Sequence, residues 1–62
     1  MDALDVLIQQ TDDKLAQLKE HLASGRAVSF DEYKSICGEI RGLLIVRGYI
    51  LDLKKNLEDS DD

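Results

Sequence analysis

Apolar residues recur at helical spacing through both halves of this 62-residue sequence, and no proline interrupts them. In the first half, one apolar stripe with a single polar member consists of Leu4, Ile8, Thr11, Leu15, Leu18 and Leu22. The gaps of four and three residues are those of a heptad seam. The pattern predicts an all-α protein whose first helix spans about residues 3–23, with Asp2 as its N-cap. The opposite, solvated face is expected to carry Asp5, Gln9, Asp12, Asp13, Lys19 and Glu20.

A second helix is predicted because the residues before it carry the signals of a helix N-terminus. Ser29 is expected to cap the helix, and Glu32 to complete a capping box with it. Val28 precedes the cap and is expected to pack on Tyr33 as a hydrophobic staple. Together these residues predict a helix over about residues 30–57.

A short turn joins the two predicted helices, so the chain is expected to fold as an antiparallel two-helix hairpin of residues 1–57. Gly25 favours a helix end, because glycine adopts the left-handed conformation readily. The second helix would be about 42 Å long against about 31 Å for the first. Its end, Asp52 to Leu57, is therefore expected to project, with Lys54 suited to the negative end of the helix dipole. Residues 58–62 are predicted to form an acidic, frayed tail.

The few reactive side chains weigh against catalysis and metal binding. Cys37 is the only cysteine and His21 the only histidine, so a disulfide framework or clustered metal ligands are not expected. Cys37 is expected to be a small buried hydrophobe, and His21 a helix-end residue that suits the dipole. Asp12 and Asp13 point about 100° apart on a helix and do not share a pocket. Because no phosphate loop or nucleophile motif appears, the sequence predicts a non-enzymatic protein without cofactor, metal or small-molecule substrate.

The net charge of −5 is concentrated at the C-terminal end of the sequence. Four of the thirteen acidic residues lie after Leu57, leaving nine acids and eight bases in residues 1–57. A nearly neutral body does not favour nucleic acid as a partner, since nucleic-acid binding would require lysine and arginine side chains clustered on one face. The acidic opening differs from a secretory leader, and no stretch approaches the roughly 20 apolar residues of a membrane span. The sequence therefore predicts a soluble protein that has no membrane partner. Its single cysteine favours a reducing cytosol or a particle assembled there.

The second helix carries more apolar residues than one partner helix can cover. One seam consists of Ile36, Ile40, Leu43, Arg47, Ile50, Lys54 and Leu57, and another of Phe30, Tyr33, Cys37, Leu44 and Leu51. A helix that is apolar over most of its girth is normally buried, and a chain this small commonly needs oligomerisation or another staple. The face around Leu44, Ile45, Tyr49 and Leu51 is therefore expected to meet another copy, in a helical bundle, or a partner protein.

Two glycines belong to this predicted interface. Gly38 and Gly42 share one side of the second helix, and each costs about 1 kcal/mol relative to alanine. Close packing would offset that cost. The neighbour is either a bulky residue of the first helix or the helix of another subunit, and the sequence leaves both alternatives open.

Two arginines complete the predicted interface. Arg41 and Arg47 lie in apolar surroundings, where a guanidinium must find acceptors or stay at an edge. They are expected to pair with carboxylates such as Glu39 or Asp52 of a neighbouring subunit, or with a partner protein. The alternative is that both extend into water.

One segment, residues 29–43, reads Ser-Phe-Asp-Glu-Tyr-Lys-Ser-Ile-Cys-Gly-Glu-Ile-Arg-Gly-Leu. This segment resembles a group of small uncharacterised tailed-bacteriophage proteins. The shared features are a serine, an aromatic and an acid, then Tyr-Lys and Cys-Gly-x-Ile-x-Gly-Leu, followed by a long helix and an acidic end. The resemblance covers about half of the chain, chiefly the second helix. It implies a viral origin, a role in the particle and a location in the host cytoplasm or the virion, and it carries no catalytic residues.

Two functional hypotheses follow. The first is a non-catalytic phage protein that associates through its second helix and is a minor or accessory component of virion assembly. The second is a small inhibitor of a host enzyme or defence protein, which docks through the end of the second helix and the acidic tail. Each needs a protein partner: the chain itself, a larger phage protein or a host protein.

Overall fold

The computed structural model describes residues 2–24 and 29–59, which form two α-helices packed side by side. Helix α1 spans Ala3–Ala23 and helix α2 spans Phe30–Asp59. The predicted all-α hairpin and the bounds of α1 are confirmed. Helix α2 continues beyond its predicted end at Leu57, into the first acidic residues of the expected tail.

The start of α1 is capped as the sequence predicts. Asp2 has an extended backbone, and its Oδ1 accepts a hydrogen bond from the N–H of Asp5 at 2.8 Å. Within the apolar stripe, the hydroxyl of Thr11 donates to the carbonyl of Leu7 at 2.8 Å. The polar member of the stripe is therefore satisfied within its own helix.

The start of α2 is capped by Ser29. Its Oγ accepts from the N–H of Glu32 at 3.1 Å, and its carbonyl accepts from the N–H of Tyr33 at 2.9 Å. The carboxylate of Glu32 extends across the hairpin, with Oε1 at 3.7 Å from Nε2 of His21. Ser29 is thus confirmed as the cap, whereas the predicted staple of Val28 on Tyr33 lies outside the described residues.

The core is a narrow seam in the half of the hairpin nearest the turn. Leu15 and Leu18 of α1 and Ile36 of α2 are the buried apolar side chains of the described residues. The remaining members of both predicted seams that face each other are half-buried: Leu4, Ile8, Thr11, Leu22, Ile40, Leu43, Arg47, Ile50 and Lys54. The predicted stripe of α1 therefore faces the predicted seam of α2 that begins at Ile36, but together they enclose only a small core.

The open end of the hairpin differs in part from the prediction. Lys54 was expected at the negative end of a projecting helix, but its Nζ binds Oδ1 of Asp5 in the first turn of α1. Because this contact ties α2 to α1, the projection is shorter than expected. Leu57, predicted in the seam, is exposed because it lies beyond this tie. Gly25 and residues 60–62 lie outside the described residues.

Truncating the core should unfold much of the hairpin. Leu15→Ala is expected to lower the free energy of unfolding by about 2–5 kcal/mol, because it removes buried methyl groups and leaves a cavity. Urea titration followed by far-UV circular dichroism measures the loss. The matched control is Leu7→Ala, whose side chain is exposed on the same helix, with an expected change of at most about 1 kcal/mol. Equal losses in the two variants would contradict the observed seam.

Candidate interaction surface

Two bases of α2 bind two carboxylates of α1 along one edge of the seam. Arg47 Nε donates to Asp12 Oδ1 at 2.6 Å, and Arg47 Nη2 donates to Asp12 Oδ2 at 3.3 Å. This two-point contact matches the fork of a guanidinium to a carboxylate. The second pair is Lys54 with Asp5. The partners are spaced seven residues apart on each helix, so the two pairs together fix the antiparallel register.

These pairs change the expected roles of three residues. Asp5 and Asp12 were predicted on the solvated face, but both are half-buried beside the seam. Arg47 was expected to pair with a neighbouring subunit, at Glu39 or Asp52, or to reach water. It pairs instead with Asp12 of its own chain. The reason is geometric, since a heptad pattern marks the centre of a seam, whereas charges at its edge pair only once the opposite helix is in place.

The hydrogen bonds of these pairs shift the pKa of each group toward its charged form. The hydrogen bond from Arg47 lowers the pKa of Asp12 and raises that of Arg47 itself. The hydrogen bond with Lys54 likewise lowers the pKa of Asp5 and raises that of Lys54. Because the carboxyl pKa values are depressed in the folded state, their contribution to stability is complete above the ordinary value of 3.8. It is lost as the pH falls through the folded pKa.

The pair of Asp12 with Arg47 should therefore contribute to the fall in melting temperature at acidic pH. Asp12→Asn is expected to lower the melting temperature at neutral pH and to flatten its decline below about pH 4, because the group that must be protonated is gone. Thermal melts across this pH range measure both effects. Asp13→Asn is the matched control, since Asp13 is an exposed neighbour. If the melting temperatures of both variants fell with acid as steeply as that of the native chain, the pair of Asp12 with Arg47 would contribute nothing to stability.

Large apolar side chains remain exposed along much of α2. In residues 2–24 and 29–59, the exposed set is Val6, Leu7, Phe30, Tyr33, Leu44, Ile45, Val46, Tyr49, Leu51, Leu53 and Leu57. Phe30 and Tyr49 are the most exposed, at 72% and 67%. All four residues of the predicted extra face belong to this set, so α1 leaves that face uncovered.

The positions of α2 that α1 leaves uncovered form two faces, because successive residues on a helix are about 100° apart. The first, which we call the lateral face, lies beside the seam and consists of the exposed Tyr33, Leu44 and Leu51 and the half-buried Cys37. The second, the outer face, points away from α1 and consists of Gly38, Gly42, Ile45, Val46, Tyr49 and Leu53. Gly38, Gly42, Ile45 and Tyr49 follow one another at gaps of four, three and four, which is again the spacing of a helix–helix seam.

The glycines of α2 face open space within the chain. A Cβ built on Gly38, Gly42 or Gly48 would meet nothing within 4 Å. Of the two alternatives left open for Gly38 and Gly42, contact with a bulky residue of α1 is excluded, because the outer face points away from that helix. Contact with another molecule is the alternative that remains.

Filling these positions should stabilise the isolated chain. Gly42→Ala is expected to raise the free energy of unfolding by about 1 kcal/mol, because alanine restricts the unfolded backbone and favours the helix. Urea titration at a concentration that keeps the chain monomeric measures this gain, and Gly48→Ala provides a comparison. A lower stability of the monomeric Gly42→Ala chain would show that an intrachain neighbour occupies the space beside Gly42.

The side chains considered for chemistry lie at the surface. The His21 side chain is 41% exposed near Glu32, and Cys37 is a half-buried free thiol, not the buried residue expected, because α1 does not cover the lateral face. A hollow of about 270 Å³ on α2 is lined by Tyr33, Lys34, Cys37, Gly38 and Arg41. Among the described residues, no group of three or more histidine, cysteine or acidic side chains is placed to hold a metal ion.

Within the described ranges, neither helix is long and apolar enough to cross a membrane. Comparison of the chain with protein-family models, curated proteins and solved structures finds no match. Its function is therefore inferred from the exposed faces of α2.

Proposed function

We propose that this chain is a non-catalytic protein that acts by helix-mediated protein–protein association, with α2 as the contact element and a second copy of the chain as its first partner. One observation carries the proposal: three apolar side chains are buried among the described residues, whereas eleven large ones are exposed. Covering apolar surface contributes about 25 cal/mol per Å². Covering several of these side chains would therefore add several kcal/mol, comparable with the whole stability of a small domain.

The distribution of polar groups supports association through α2. The charged residues at the seam, Arg47 and Lys54, are already paired within the hairpin. Ile45 and Tyr49, on the outer side of the same helix, lie between exposed glycines and further apolar residues. A tyrosine with both an apolar ring and a hydroxyl is a side chain that protein interfaces favour.

The phage-like segment provides the biological setting of the proposal. Residues 29–43, which carry that resemblance, comprise the cap and the first half of α2 and include both Gly38 and Gly42. We therefore place the association in a tailed bacteriophage, as a minor or accessory component of virion assembly in the host cytoplasm or the particle. The resemblance and the exposed face fall on the same helix.

A second candidate function, a small inhibitor of a host enzyme or defence protein, is favoured by the end of α2. Leu53 and Leu57 are exposed there, about half of each surface being accessible, and Glu58 and Asp59 follow in the same helix. An apolar helix end with acids at its tip fits a groove with a basic rim. Such docking would use the projecting end, whereas self-association would use the middle of α2.

Mass measurement in solution tests the leading proposal. Light scattering or sedimentation equilibrium is expected to give at least twice the 7.0 kDa of one chain at micromolar concentration. Tyr49→Asp should raise the dissociation constant at least about tenfold, because it places a charge in the apolar contact. Gln10→Asp, on the exposed side of α1, is the control and should leave the mass unchanged. A monodisperse 7.0 kDa species for the native chain would contradict self-association.

Removing Glu58–Asp62 separates the two candidate functions. Self-association through the middle of α2 should persist in the shortened chain. Docking into a basic cleft should weaken and lose its dependence on salt, because the attraction between exposed charges is screened by ions.

A further inference from the structure

The proposed association is the basis of a more specific inference. We infer that a second copy of this chain packs on the outer face, with the two α2 helices antiparallel about a two-fold axis beside Val46. Three features carry this arrangement: a stripe of charges, the division of the outer face into a small and a large half, and the hollow beside Gly38.

Four charged residues follow one edge of the outer face in the order Lys34, Arg41, Asp52 and Asp59. The gaps of seven, eleven and seven residues each return to nearly the same side of a helix that has 3.6 residues per turn. All four residues are exposed. Within the described part of the chain, Arg41 and Asp52 form no ion pair. The edge is thus basic in its first half and acidic in its second half.

An antiparallel two-fold pairing brings these opposite halves together. The midpoint between Arg41 and Asp52 coincides with the midpoint between Lys34 and Asp59. This shared midpoint lies beside Val46. With the axis there, Arg41 of each copy faces Asp52 of the other, and the outer two charges face each other in the same way. In a parallel two-fold pairing the stripes of the two copies would lie on opposite sides of the contact, so their charges would not meet. The charge pattern therefore selects the antiparallel orientation.

The same axis divides the apolar residues of the outer face by size. Gly38 and Gly42 precede it, with open space where a Cβ would lie. Tyr49 and Leu53 follow it, and they are 67% and 49% exposed. In an isologous contact, the large half of each copy covers the small half of the other. The exposed side chains of Tyr49 and Leu53 and the two glycines are thereby accounted for by one arrangement.

The hollow beside Gly38 extends this complementarity toward the start of α2. Lys34 and Arg41 line it, next to the ring of Tyr33 and the thiol of Cys37. In the antiparallel arrangement Asp52 and Asp59 of the second α2 come to the edge of this hollow. The two cations that line it thus meet two carboxylates, which is electrostatic complementarity of the kind found at interfaces.

Charge reversal tests the orientation. Arg41→Glu and Asp52→Lys are each expected to raise the dimer dissociation constant about tenfold at low salt, because each change turns two symmetry-related attractions into repulsions. The double variant carries both reversals in one chain and restores opposite charges across the interface, so its dissociation constant should return to within about threefold of the native value. Sedimentation equilibrium measures all four proteins, and circular dichroism verifies their helix content. Lys14→Glu, an exposed reversal on α1, is the control and should have no effect.

Crosslinking tests the register independently of charge. In a Cys37→Ala background, chains with Arg41→Cys and chains with Asp52→Cys are mixed and oxidised. The expected disulfide joins one variant to the other, because residue 41 of each copy lies beside residue 52 of its neighbour. Disulfides between two copies of the Arg41→Cys chain would overturn the inference, since the antiparallel register keeps those positions several turns apart.

The outcomes separate this inference from the proposed function. A native chain that stays monomeric removes both. A native oligomer in which single reversals have no effect, or the double variant shows no rescue, overturns the antiparallel outer-face dimer alone and leaves association through the lateral face.

Discussion

The seam between α1 and α2 is the constraint on which the rest of the molecule depends. Three buried side chains, Leu15, Leu18 and Ile36, supply its apolar core, and all three lie in the half nearest the turn. Toward the open end, Asp12 with Arg47 and Asp5 with Lys54 take over the contact between the helices. A seam between only two helices covers one side of each, so the apolar residues on the other sides of α2 stay accessible. The narrow core and the proposed association are two consequences of the same geometry.

The different roles of the two arginines of α2 follow from this geometry. Arg47 lies toward α1 and is neutralised there, whereas Arg41 lies about a third of a turn away and belongs to the edge of the outer face. Two arginines with the same local surroundings in the sequence thus contribute to different contacts: one sets the register of the hairpin, and the other is available to set the register between copies. Guanidinium groups suit both tasks because their planar geometry is directional.

Local signals made most of the fold predictable. Caps at Asp2 and Ser29 and the heptad stripe of α1 each act over a few residues, so both helix starts, the extent of α1 and the facing seams could be read from the sequence. The ion pairs could not. Arg47 and Asp12 are 35 residues apart in sequence, and their contact depends on how one helix is aligned along the other. The role of Gly42 was equally open, since spacing alone does not tell which molecule approaches a glycine; its position relative to α1 was needed to exclude an intrachain neighbour.

The open space beside the α2 glycines has a consequence for backbone dynamics. Without side chains at Gly38 and Gly42, the amides of that turn lack the local shielding that a packed neighbour gives, and the intrinsic preference for helix is lowest there. In a separate chain we expect this stretch to open to solvent more readily than the turn of α1 around Leu15, so its amide protons should exchange faster. A second helix laid across the glycines would close this weak point, and the order gained there would be part of the binding free energy.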